Sequence, residues 1–300
     1  MTNTLTIRSH DELISFIPHT LGFTPESSMV CLALGGGPTS RLDLPDPAES
    51  MATWVHQLSD VYLHRHHTNR LALIAYGEDG RACVEALAAL GDALVNSEVR
   101  GPGVGPMLWV NGDQWVDVLE GTSGTVDPGA RARIDAEFAL MGRVMPAGRR
   151  EDLAAAMQGD PTGVAEHLPA AQERALEMKV STRTAEVEWL GSRLDEFLRD
   201  RKSLSDVDAA RVLAVIHDSG ARDAAETRMS RENAPVFSEF WHQLVRRAPD
   251  EVRDTPAAML ALSSYLEGKG AQAWVALDQI SESHPPLADL VATALEQAID

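Results

Sequence analysis

Apolar runs of strand length are confined to one half of this 300-residue chain, and that asymmetry constrains its fold more than any other feature. Met29–Leu34, Leu71–Tyr76 and Met107–Val110 are continuous apolar stretches bounded by turn residues, the pattern of buried strands. Beyond about residue 146 such runs stop. Apolar residues then recur at three- and four-residue spacing, which belongs to amphipathic helices. The division predicts a mixed α/β region over residues 1–145 and an all-helical region over 146–300.

Local signals fill in the first region. Ser9 ahead of Asp11 and Glu12 is N-cap chemistry for a helix through Leu13, Phe16 and Ile17 that halts near Pro18. Arg41–Leu44 alternates as R-L-D-L and pairs back on Met29–Leu34 through Gly35-Gly36-Gly37-Pro38. Asp46-Pro47 opens a helix bearing Met51, Trp54, Val55, Leu58, Val61 and Tyr62. Gly77-Glu78-Asp79-Gly80 leads from a strand into a helix bearing Val84, Leu87, Leu90 and Leu94. Asn111-Gly112 between apolar runs is a strong hairpin signal. It puts Trp115 and Asp117 on one face of the returning strand. Strands alternating with helices imply a partly parallel, mixed sheet with flanking helices.

In the second region, helices are expected at Arg149–Met157, at Ala170–Leu198 as one or two, and at Asp206–His217, Pro235–Arg247, Pro256–Glu267, Ala271–Ser281 and Pro286–Ile299. The stretch from Ala257, a helix, a Gly-Lys-Gly turn and another helix, resembles a tetratricopeptide hairpin by period. An ordinary helical bundle is the plainer reading of it.

Charge narrows the function classes. The net charge is −19, with 11 Lys+Arg against 18 Asp+Glu in residues 1–150 and 15 against 27 in the rest. Such a surface repels duplex DNA and anionic membranes, so a protein partner or self-association is expected. Cys31 and Cys83 sit in apolar runs without a CxxC pair, which reads as buried, reduced thiols. The opening MTNTLTIRSHDEL lacks a cationic stretch followed by an apolar one, and no window approaches 18 uninterrupted apolar residues. A cytoplasmic location is expected.

The candidate sites are few. His64 and His67 share a helix face with Asp60 nearby, a weak metal pair that reads better as a basic helix C-terminus. No metal or cofactor is expected from it. The triple glycine at Gly35–Gly37 lacks the lysine of a phosphate loop and leads into a strand, so it reads as a turn. Glu78 and Asp79 at a strand-to-helix turn either hold a divalent cation or complement the helix dipole. Ser27 and Ser28 lack a nucleophile elbow and an evident base. Arg41 and Asp43 share a strand face, either as an exposed polar patch with His19 or as structural partners of the Phe23–Ser28 backbone. The six tryptophans read as core or interface anchors.

One segment is distinctive: Pro18-His19-Thr20-Leu21-Gly22-Phe23-Thr24-Pro25-Glu26-Ser27-Ser28-Met29-Val30, followed by Arg41-Leu42-Asp43-Leu44-Pro45. It resembles the family called domain of unknown function 4192, from high-GC Gram-positive bacteria and their phages. That family opens on P-x-x-L-G-F-x-P-x-x-S-[LM]-V and then R-x-D-L-P. Gly148–Leu153 and Leu260–Leu277 resemble its later segments. Where the family commonly has G-R-W-x-x-Y-x-C, this chain reads Gly112–Leu119 without a cysteine. The resemblance implies bacterial or phage origin and carries no activity.

No catalytic set stands out. The expected function is a non-catalytic protein-interaction or assembly protein, an α/β platform with an acidic helical partner-binding region. The alternative is a nucleotide- or phosphate-ligand-binding enzyme with a site at the sheet edge, drawing on His19, Arg41, Asp43, Glu78 and Asp79.

Overall fold

Two apolar strands, β1 (Ser28–Ala33) and β3 (Arg70–Tyr76), form the middle of a six-stranded sheet ordered β2-β1-β3-β4-β5-β6. Every residue of β1 is buried, as is all of β3 after Arg70. The other strands are β2 (Thr39–Asp43), β4 (Gly103–Asn111), β5 (Gln114–Asp117) and β6 (Thr122–Thr125). Among the described residues, β3 and β4 pair in parallel and the other pairs are antiparallel. The sheet is mixed, as the strand-and-helix alternation implies. In a computed structural model, residues 5–35, 39–46, 50–58, 70–96, 103–141, 145–146, 148–178, 180–281 and 285–296 are described. The chain divides into two compact units, Met1–Arg149 with Glu296–Asp300, and Arg150–Leu295.

Register assigns the two faces of the sheet. Cross-strand partners share a face, so Leu42, Met29, Ala75, Trp109, Val116 and Ser123 form one row across it. Helices α2 (Met51–Leu58) and α3 (Gly80–Val95) cover this face, where Trp54, Cys83, Leu87 and Leu90 pack against Met29, Leu71 and Leu73. On the opposite face, Asp43, Ser28, Tyr76, Val110, Trp115 and Gly124 form the parallel row. There α1 (His10–Leu21) packs with α4 (Pro128–Leu140). Each large side chain buried this way contributes roughly 1.5–3 kcal/mol.

Helix α1 runs past its proline. Pro18 lies inside the helix, which ends at Gly22 in the left-handed region. The halt expected at Pro18 is therefore wrong. The Gly22 N–H closes the helix on the Pro18 carbonyl, so the last turn is completed beyond the proline. Helix α2 is described only as Met51–Leu58; Pro47, Val61, Tyr62 and the His64 and His67 pair lie outside the described residues. Both β6 and α4 carry no signal in the sequence reading. Thr122–Thr125 contains no apolar side chain, and α4 buries only Ile134 and Phe138.

The second unit is helical throughout its described residues. Its helices are α5 (Arg150–Ala156), α6 (Thr162–Ala165), α7 (Leu168–Leu176), α8 (Val180–Asp200), α9 (Asp206–Val215), α10 (Ser219–Glu226), α11 (Ala234–Arg247), α12 (Asp254–Leu266), α13 (Gly270–Leu277) and α14 (Pro286–Glu296). Helix α12 packs against both α11 and α13. Helix lengths from four to 21 residues leave no fixed repeat period. The core centres on Trp241, Phe237, Phe240 and Phe197, with alanines of α12 and α9 letting the helices approach closely.

Candidate functional site

The distinctive segments of the sequence meet at one end of the sheet. Ser27 sits in the left-handed region at φ 44°, a strained position for a residue with a Cβ. Its carbonyl accepts the Leu44 N–H at 2.9 Å, tying the two motifs together. Ser28 is fully buried; its hydroxyl donates to the Glu26 carbonyl and accepts from Arg41 Nε at 2.9 Å. Arg41 also pairs with Asp43 at 2.6 Å. The Asp43 carbonyl accepts from the Trp54 indole at 2.9 Å. Glu26 pairs with Arg149, and the Thr24 N–H donates to the Gly148 carbonyl. The Arg41–Asp43 pair is thus a brace for the Phe23–Ser28 turn, and Ser28 has no free hydroxyl to act as a nucleophile.

His19 is elsewhere. Its Nε2 lies 2.7 Å from Asp135 Oδ1 of α4, and its ring stacks on Phe138 at 4.2 Å. The side chain is 1% exposed, so it joins no surface patch with Arg41 and Asp43. The expected trio therefore splits into two structural groups. Asp79 is the N-cap of α3, accepting the N–H groups of Arg81 and Ala82; Glu78 is exposed beside it. Among the described residues, no group of three His, Cys, Asp or Glu side chains could hold a metal ion. Burial pushes the Cys31 thiol up to about 12, against a smaller opposing effect of Ser40, and burial also raises Cys83. Neither thiol is poised as a nucleophile.

A second place on this unit is open. A groove of 370 Å³ is lined by Trp109, Asn111, Gln114, Trp115, Val116, Ser123, Gly124 and Thr125. It lies where the helix-covered face runs out past α3. Register puts Trp109, Val116 and Ser123 in one row and Asn111, Gln114 and Thr125 in the next, on the same face. Trp109 marks the boundary. Its indole donates to the Gly77 carbonyl at 2.9 Å, and its ring lies against Gly80, where a Cβ would come within 2.6 Å. Trp115 is fixed in the same manner. Its indole donates to Asp11 Oδ1 at 2.8 Å, and its ring lies against Gly124, again 2.6 Å from a Cβ there. His10 meets the Trp115 ring edge-on and lies 3.4 Å from the buried Asp117.

No side chain lining this groove is titratable. It offers indole surface, one valine, two carboxamides and two hydroxyls. That set binds by stacking, apolar contact and neutral hydrogen bonds; it moves no proton and activates no nucleophile. The sequence reading missed the groove because it treated each tryptophan alone. The Asn-Gly turn fixes the register that sets Trp109 opposite Val116, and that signal was available.

Comparison with known proteins adds a family and nothing nearer. A family model described as a domain of unknown function (DUF4192) matches residues 11–300. No curated protein and no solved structure matches.

Proposed function

Because this chain belongs to the DUF4192 family over residues 11–300, whose description names no activity, we propose from the geometry that it is a non-catalytic protein-interaction or assembly protein. The observation that carries this reading is the contrast between its ionisable residues and its groove. Arg41, Asp43, Asp79 and His19 are each held by partners within the fold. The groove is built from tryptophan, valine, carboxamides and hydroxyls. Aromatic and neutral polar side chains in an open concavity are the chemistry of recognition. The α/β unit acts as the platform. The helical unit adds an acidic surface that favours basic partners and disfavours nucleic acid.

The rival, a nucleotide or phosphate site near Arg41 and Asp43, has less support. The Arg41 guanidinium is already spent on Ser28 and Asp43. One experiment separates the two. Light scattering after size exclusion, with chemical cross-linking across a concentration series, should give self-association or a stoichiometric complex. A strict monomer that cross-links to nothing, yet is stabilised by a nucleotide through Arg41, would replace this reading with the rival.

A further inference from the structure

Strand β6 is the last in the sheet order, and three of its four residues are exposed. Edge strands are usually blunted by proline, lysine, a bulge or a cover. Thr122-Ser123-Gly124-Thr125 has neither proline nor lysine, and its pairing with β5 keeps one register without a shift. Among the described residues no strand pairs with its outer edge. The groove opens on the same strand, since Ser123, Gly124 and Thr125 line it. An uncovered backbone edge and a side-chain groove therefore adjoin.

The surroundings set the charge of an occupant. Asp113 lies in the β4–β5 turn, Glu120 in the β5–β6 turn and Asp127 just after β6. Arg131 pairs with Asp113 at 2.7 Å. Asp127 caps α4 through the Gly129 and Ala130 N–H groups. The hairpin ribbon is acidic at both ends and neutral in its groove.

We propose that β6 receives an extended cationic segment of a partner protein by strand addition. The backbone of the segment pairs along the outer edge of β6. Side chains at alternate positions on the groove face pack at its rim beside Ser123 and Thr125 of β6, and basic side chains at the end of the segment meet Glu120. Main-chain hydrogen bonds supply the affinity and alternate pockets the selectivity. This rests on the interaction reading above and gives it a surface and a class of partner.

The test uses the full chain and a fluorescein-labelled, end-capped alternating Val-Lys octapeptide. Anisotropy should report saturable binding, with a concurrent change in tryptophan emission. The Val-Glu counterpart should not bind. N-methylation at alternate residues of the Val-Lys peptide, which removes one edge of donors, should abolish binding. Ser123→Arg, at an exposed position that leaves the core intact, should weaken it by about tenfold, because the long side chain fills the groove rim that the valines would occupy. Absence of Val-Lys binding by the wild-type chain overturns the proposal. So does binding that neither N-methylation nor Ser123→Arg alters, which is nonspecific attraction to an acidic protein. If the chain still self-associates or forms a stoichiometric complex, strand addition fails and the interaction reading survives.

Discussion

The two units use tryptophan in opposite ways. In the helical unit, Trp241 is fully buried among Phe237, Phe240 and Phe197, and its indole N–H has no hydrogen-bond partner among the described residues. Packing area outweighs the cost of an unpaired donor there. In the α/β unit, Trp109 and Trp115 keep part of their rings accessible. Each indole N–H is tied to a named acceptor and each ring is seated on a glycine. The buried ring is held by packing alone, whereas each seated ring is held by a hydrogen bond and a close glycine. Fixing an aromatic before binding removes rotamer entropy from the cost of association.

The sharpest way to break that contrast is Trp241→Ala. Loss of a fully buried indole should cost the helical unit about 3–5 kcal/mol, read by urea denaturation with hydrogen exchange resolved by segment. An equal loss in the α/β unit would show that the two unfold together. Glu186→Ala comes next. Glu186 is buried and bridges α7, α8 and α9 by pairing with Arg174 at 2.6 Å and Arg211 at 2.9 Å, while Arg211 lies over Trp189 at 3.7 Å. Both arginines reach solvent when released, so the expected loss is roughly 2–3 kcal/mol in the same assay. Gly124→Ala probes a seated ring. The new methyl displaces Trp115 at a cost of about 1–2 kcal/mol and should shift tryptophan emission; an unchanged spectrum would mean the ring is not anchored there.

The smallest effect is pH dependence. Burial lowers His217, with Arg222 acting the same way and Asp254 opposing. Burial likewise lowers His242, aided by Arg246. Their unfolded forms bind protons first as pH falls. Their contribution is therefore complete above 6.5 and declines below it. Glu226, raised by burial, works in the opposite sense at lower pH. In the α/β unit, Glu12 is lowered by the Arg8 backbone N–H and by Arg133, so its contribution is lost only below 4.5. In the helical unit, burial raises Glu186 but the hydrogen bonds from Arg211 and Arg174 together outweigh it, so its carboxyl is lowered. Segment-resolved exchange should show the helical unit loosening first on acidification. Simultaneous loosening would contradict these assignments.

Much of this architecture was readable before any coordinates, and the reasons are physical. β1 and β3 announce themselves because strands buried on both faces must be apolar throughout. The hairpin at Asn111-Gly112 is legible because its turn needs a left-handed residue, and Gly112 has φ 59°. β6 and α4 were not legible. A strand exposed on an edge has no apolar alternation to show, and a helix with two buried residues has almost no period. The site was half legible. Arg41 and Asp43 do share a face and brace the Phe23–Ser28 turn. The link from His19 to Asp135 spans 116 residues, and no local pattern announces a partner at that distance.

That long reach has a consequence for how the chain comes into being. Helix α1 is made first, yet its polar anchors emerge last: Trp115 for Asp11, Arg133 for Glu12 and Asp135 for His19, at separations of 104, 121 and 116 residues. Until α4 leaves the ribosome, the apolar stripe of Leu13, Ile14 and Ile17 has no finished surface to close against. Non-local closure of this sort is slow and leaves nascent segments exposed. The residues of α1 thus wait longest for their partners, and translation past Asp135 is the moment that wait ends.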